Sequence, residues 1–126
     1  MSAGLGPLTA EGLRVQPELA SDRLRLTMTG TIAMRDPAAV LAPFFEAVDA
    51  AAAAAGVTAV EADLRGLSFV NSSAIGSLVR WVMGLEARPE SAYRLHLLYD
   101  RKVSWQRTNV PMLATIAPAL VRATSD

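Results

Sequence analysis

The sequence predicts an α/β domain built on a mixed sheet of four or five strands with helices packed on it. Three observations carry that expectation. Residues 23–34 begin with strict alternation, Leu24, Leu26 and Met28 against Arg23, Arg25 and Thr27, which is the period of a half-buried strand. Beyond residue 36, strand-like segments alternate with runs of helical spacing, giving the order strand, strand, helix, strand, helix, strand, helix. The 126 residues, 52% hydrophobic and 19% charged, suit one domain with a single core that needs neither disulfides nor metal.

Residues 1–11 carry Gly, Ala and Pro with no apolar period and are expected to form a flexible tail ahead of a domain spanning 12–126. Residues 13–19 alternate in part and read as a first strand, which Pro17 restricts to an edge position. Ser21 and Asp22 make the turn into the second strand, so the two segments form a hairpin. Asp36 and Pro37 open a helix, the Asp as its cap and the Pro at a first position that tolerates it. That helix runs to Ala55 and stops at Gly56. Val40, Leu41, Phe44, Phe45 and Val48 give its apolar face, while Pro43 implies a kink or a later start. Residues 57–64 form the next strand. From Ser73 onward, Ile75, Leu78, Val79, Val82 and Met83 make one buried helical stripe that ends at Arg88 and Pro89. Residues 93–99 read as a strand with Leu95 and Leu97 on one face. A helix over 104–116, interrupted near Pro111, and a short closing strand over 119–123 complete the chain. The sequence carries no internal repeat.

Composition narrows the function classes. Twelve basic residues balance 12 acidic ones, so the chain lacks the positive field that nucleic acid or an anionic membrane requires of a partner. Without cysteine there is no disulfide, no thiolate metal ligand and no thiol catalysis. The first ten residues carry no basic and apolar signal pattern, and no segment has the roughly 18 uninterrupted apolar residues of a membrane helix. The expectation is a cytoplasmic protein. No feature sets its oligomeric state.

Chemistry concentrates in residues 62–76. Asp63 and Leu64 end a strand, Gly66 turns it, Leu67, Ser68, Phe69 and Val70 form a short apolar loop, and Asn71, Ser72 and Ser73 open a helix. A helix start leaves backbone amides unpaired and carries about half a positive charge. Asn71 or Ser72 would satisfy one of those amides, a stabilisation of about 1 kcal/mol. A serine pair in this place is by itself a cap, and it is also a place where a phosphate is well accommodated. A serine hydrolase would flank its nucleophile with glycines, but Val70 and Ala74 stand at those positions around Ser72.

The element order and this motif together resemble the STAS domain, the fold of bacterial anti-sigma factor antagonists, over residues 13–122. The family's segment is a strand ending in Asp-Leu, a Gly-Val/Leu-Ser-Phe loop, and Asp-Ser-Ser/Thr-Gly-Leu-Gly leading a helix. Asp63, Leu64, Gly66, Leu67, Ser68, Phe69, Ser72 and Ser73 match it, with Ile75 and Gly76 in the Leu-Gly place. Asn71 stands where the family has Asp, and Ala74 where it has Gly. Gly30, Thr31, Ile32 and Ala33 replace a Gly-Glu-Leu-Asp segment. Asn71 before the serine, with Tyr99, Asp100 and Arg101 after the next strand, is similar to the SiaC-type regulators, which work with a dedicated kinase and phosphatase.

The resemblance implies a regulatory protein that is a substrate and not an enzyme, with no cofactor. Its partners would be a protein serine kinase or anti-sigma-like protein and a serine phosphatase. Ser72 would be the phosphoacceptor and Ser73 a secondary one. Asn71, Ala74, Ile75, Gly76, Asp63, Ala33, Asp100 and Arg101 would shape the partner-binding site. Losing two carboxylates around the serine would lower the repulsion that an added phosphate meets, and implies a kinase-recognition surface unlike that of the sporulation-type antagonists. Two alternatives stay open. One is an interaction or scaffold module independent of phosphorylation; the other is an anion or nucleotide sensor, against which the lack of a Gly-rich phosphate loop counts.

Few other residues suggest chemistry. His96 falls out of phase with Leu95 and Leu97, so its ring faces solvent or packs loosely, and one histidine without cysteine gives no metal site. Asp63 is placed to accept turn amides or to position Ser72. Asp100, Arg101 and Lys102 form a charged loop, either solvated or at the rim of a partner surface. Trp81 lies off the stripe of its helix and Trp105 begins the last helix; each is either core or an interface anchor.

Overall fold

The computed structural model describes residues 5–90 and 93–125. In chain order its elements are β1 (Leu8–Ala10), β2 (Leu13–Leu19), β3 (Leu24–Ile32), α1 (Ala38–Ala55), β4 (Ala59–Val70), α2 (Ser72–Glu86), β5 (Arg94–Tyr99), α3 (Ser104–Ile116) and β6 (Val121–Ser125). The six strands form one sheet in that same order. The first three are antiparallel neighbours, and β3 through β6 run parallel. Each parallel step needs a crossover, and right-handed crossovers lay α1, α2 and α3 on one face of the sheet. The helices pack in that sequence, α1 on α2 and α2 on α3.

The covered face is the core. Leu24, Leu26 and Met28 of β3, Val60, Ala62 and Leu64 of β4, and Leu95 and Leu97 of β5 are all buried beneath the helices. Leu41, Phe44, Phe45 and Val48 descend from α1 and Leu78, Trp81, Val82 and Leu85 from α2. Alanine makes α1, at 18 residues and a mean hydropathy of 1.5, long and apolar enough to cross a membrane. Its large side chains nevertheless point into the sheet, as those of a core helix do.

Several expectations need correction, and each has a physical reason. There are six strands because residues 8–10, expected as tail, pair antiparallel with β2, and Leu5 ahead of them is buried. Residues 1–4 of that expected tail lie outside the described residues. β2 is therefore interior at its start, yet β1 reaches only as far as Val15, so Pro17 still has one open side. Pro37, not Asp36, caps α1, and no side chain does so. The helix neither starts late nor breaks at Pro43, because Pro43 and Ala39, whose bond it forfeits, both lie on the exposed side. The closing strand begins at Val121 and not at residue 119. The buried face of α2 is rotated from the expected stripe: Trp81 is core and Met83 is 54% exposed. Trp81 stacks on Phe45 with ring centroids 4.1 Å apart, and its indole N–H donates to the Tyr93 hydroxyl at 2.6 Å. That hydroxyl donates in turn to Asp49, so burial and the carboxylate together push its pKa up.

The largest correction concerns β4. It does not stop at Gly66 but runs 12 residues to Val70, through the segment expected as loop. Beside β3 it keeps its pairing by two bulges: Thr27 pairs with Asp63 but Thr29 with Gly66, and Gly30 with Leu67 but Thr31 with Phe69. On the other side β5 pairs only as far as Asp63. The carbonyls of Leu64 and Leu67 consequently lack a strand partner there. Gln106 of α3 supplies one: its Nε2 donates to both oxygens at 2.8 Å, while its Oε1 accepts from the Asp100 amide at 2.7 Å. The Trp105 indole adds a second donor to the Leu67 carbonyl at 2.7 Å.

The uncovered face is polar. Register sets Arg25, Glu61, His96 and Arg122 in one row across four strands. Glu61 is only 7% exposed and bonds Arg25 at 2.8 Å, with Arg23 at 3.5 Å. His96 is half-buried on this face. Its ring meets Thr124 at 2.8 Å through Nε2 and Arg122 at 3.4 Å through Nδ1. Burial, then the Arg122 charge, lower its pKa, and together they outweigh Glu61, whose carboxylate lies 3.6 Å from Nδ1.

Three outcomes test this architecture. Gly30 has φ +96°, and a Cβ there would run into the Gly12 carbonyl oxygen, so Gly30→Ala should cost about 3 kcal/mol in urea unfolding. Gln106→Leu should cost about 2–4 kcal/mol by stranding the Leu64 carbonyl and the Asp100 amide, since the Leu67 carbonyl keeps the Trp105 donor. Because folding depresses the His96 pKa, stability should be full above its ordinary value of 6.5 and fall as pH drops below it. Melting temperatures measured from neutral to acid pH should show that slope, and His96→Gln should flatten it.

Candidate functional site

Where β4 ends, Asn71 performs three bonds at once. Its amide donates to the Ile32 carbonyl at 2.9 Å, which ends the β3–β4 ladder. Its side-chain Oδ1 accepts from the Ala74 amide at 2.9 Å, capping α2. Its Nδ2 donates to the Met34 carbonyl at 2.9 Å, in the connection between β3 and α1. A carboxylate could make the second bond but not the third. That is a physical account of Asn in a place where the resembled family has Asp: here the side chain must donate as well as accept.

With the cap supplied by Asn71, the serines are left over. Ser72 and Ser73 are both exposed, and neither hydroxyl has a hydrogen-bond partner among the described residues. No acidic residue occupies the first turn of α2, so the positive end of the helix dipole is not offset by a side chain. Ala74 is fully buried, which fixes the helix start against the core, while Ile75 and Gly76 are half-exposed behind it. Across the Asn71 bridge lies Ala33, exposed, and just before it on β4 Phe69 is 50% exposed. Ser68 ties this end of β4 back to β3 by donating to the Gly30 carbonyl at 3.2 Å.

The structure thus brings together Asn71, Ser72, Ser73 and the Ala33 connection. It does not bring in Asp63. That carboxylate is engaged by Arg65, through Nε at 2.9 Å, Nη2 at 2.8 Å and the amide at 3.1 Å. The Arg65 hydrogen bond holds its pKa below the ordinary value, against the opposing effect of burial. Asp100 and Arg101 belong to the turn before α3, where Asp100 accepts from the Lys102 amide at 2.9 Å and the Arg101 carbonyl accepts from Arg107. No hydrogen bond or ion pair links them to the serines among the described residues. Nor do three or more acidic or histidine side chains there converge to hold a metal ion.

Sequence reasoning missed Gln106, Trp105 and Phe69 as parts of this end of the molecule. Gln106 and Trp105 act on residues about 40 positions away, so no local pattern marks them. Phe69 was legible only as one letter of the motif; its exposure follows from the second bulge.

Asn71→Ala should lose about 1–3 kcal/mol of stability, since it removes a cap and strands the Met34 carbonyl. Asn71→Asp should keep the cap yet remain less stable than the native protein at neutral pH, and recover in part when the carboxyl is protonated. Denaturant titrations at two pH values would read both effects.

No protein-family model matches this sequence, and no curated protein matches it. Solved structures similar in shape include two anti-sigma factor antagonists. One is an anti-sigma factor antagonist from Mycobacterium paratuberculosis, 19% identical, with a TM-score of 0.59 over 93% of this chain and 92% of that one. The other is the anti-sigma factor antagonist SpoIIAA in its unphosphorylated form, 17% identical, with a TM-score of 0.54 over 89% of both chains. The sheet order, the three crossover helices and the near-complete coverage agree: this chain has the STAS fold, the fold of the anti-sigma factor antagonists.

Proposed function

We propose that this protein is a partner-switching regulator whose binding to a serine kinase or anti-sigma-type protein is controlled by phosphorylation of Ser72. One observation carries the reading. Asn71 takes the capping role, so the Ser72 hydroxyl at the exposed start of α2 has no structural duty. The bland account of a serine at a helix start is thereby weakened. The protein acts as a kinase substrate and not as an enzyme, and a phosphatase resets it.

The switch follows from electrostatics. Phosphorylation adds about −1.5 to −2 charges. The helix dipole, with no acidic side chain in the first turn, accommodates that charge without unfolding the domain. A partner lying over Ser72, Ala33 and the exposed Phe69 ring would have to desolvate it, at a cost of several kcal/mol. Association is lost while the fold persists.

Ser72→Glu should leave unfolding stability within about 1 kcal/mol of the native value. It should also weaken capture of the partner by about tenfold or more. Mass spectrometry of the protein from its native cells should place a phosphate on Ser72, and Ser72→Ala should remove it and retain the partner. If Ser72→Ala leaves phosphorylation and partner release unchanged, the acceptor is elsewhere. Binding that ignores Ser72→Glu would identify a constitutive interaction module instead.

A further inference from the structure

At the amino ends of the parallel strands, on the uncovered face of the sheet and a full length of β4 away from Ser72, lies a cavity of about 390 Å³. Arg23, Glu61, Arg94, His96 and Arg122 line it, with an apolar rim from Ala59 and residues 118–120. Three guanidiniums face one carboxylate, an excess of two positive charges before His96 is counted. Glu61 is already committed to Arg25 at 2.8 Å and lies 3.5 Å from the Arg23 Nη1. The Nε of Arg23 is buried with no hydrogen-bond partner, and Arg94 forms no ion pair among the described residues. Arg94 and Arg122 line the cavity with no carboxylate of their own among the described residues, and that excess of positive charge favours an anionic occupant.

We infer that this cavity binds a small organic phosphate monoester. A monoester is close to a dianion at neutral pH, which matches the excess charge. Guanidinium forks bind phosphate oxygens in a bidentate manner, and the exposed Arg94 and Arg122 side chains offer theirs to this cavity. A single carboxylate would leave half of the charge unbalanced. The volume is several times that of a phosphate ion and within the range of small-molecule pockets, so the apolar rim receives the organic part. Ligands of open α/β sheets ordinarily sit at the carboxyl ends of the strands; here the charged groups gather at the opposite ends. The inference is independent of any phosphorylation of Ser72.

Calorimetry and amide spectra of the full chain, titrated with phenyl phosphate and separately with inorganic phosphate, would test it. Phenyl phosphate should bind saturably and shift the amides of residues 94–96 and 121–122. It should bind about tenfold more tightly than inorganic phosphate, because only the monoester reaches the apolar rim. Arg94→Gln and Arg122→Gln should each weaken it by about tenfold, and Ser72→Ala should not. Absence of saturable binding at millimolar phenyl phosphate would overturn the assignment. So would equal affinity for the two probes, native affinity in both arginine variants, or shifts centred on residues 72–74.

Discussion

A single carboxamide holds the carboxyl end of β4 in place. β4 outruns its neighbour: β5 pairs only as far as Asp63, yet β4 continues to Val70 and must present Asn71 at the right point. Beyond Asp63 its carbonyls face α3, where a helix surface offers no backbone donors. Gln106, fully buried, bridges the Leu64 and Leu67 oxygens with one amide group and closes its own acceptor on the Asp100 amide. The Leu67 oxygen takes a second donor from Trp105, as its two lone pairs permit. The two bulges of β4 supply the extra residues that the shorter β3 does not have to match. Bulge and clamp together convert what the sequence suggests is a loop into a braced strand.

Asn71 continues the same logic by one residue. Its three bonds, one from the backbone amide and two from the side chain, reach β3, the β3–α1 connection and α2, so three pieces of backbone are fixed by one residue. The serines that follow are exposed on a rigid platform. A platform of this kind suits recognition: a partner docks on a preformed surface, and little ordering entropy is spent in the encounter. The same rigidity explains how charge could change at Ser72 without altering the domain, since the hydroxyl contributes no bond that the fold requires.

The two faces of the sheet divide the remaining work. Beneath the helices the strands contribute leucine, valine and methionine, and stability follows from their burial. On the uncovered face the strands contribute arginine, glutamate and histidine in register, and Glu61 is shielded from water by the long side chains around it. Glu61 is a buried carboxylate ion-paired with the guanidiniums of Arg25 and Arg23. The cost of that arrangement is an arginine donor without a partner, and the charged row ends in a cavity and not in a flat surface.

The sequence by itself determined the elements whose stabilisation is local. The alternation of Leu24, Leu26 and Met28 marked β3, Gly56 with φ +70° marked the end of α1, and the bounds of the helix over 104–116 were legible, although it runs through Pro111 without the expected interruption. The placement of Asn71, Ser72 and Ser73 at a helix start was equally local, because capping is a matter of neighbouring residues. Tertiary structure decided the rest. Residues 8–10 form a strand only because β2 offers an edge, and β4 extends past Gly66 only because β3 and Gln106 satisfy its backbone. Trp81 enters the core because Phe45 and Tyr93 meet it there, which helical periodicity alone could not reveal. Asp63 turned to Arg65 and away from Ser72 for a similar reason: alternation puts Asp63 and Arg65 on the polar face, and the serines lie beyond its end. Local sequence encodes periodicity and caps; which buried donor meets which orphaned carbonyl is a property of segments brought together from about 40 residues apart.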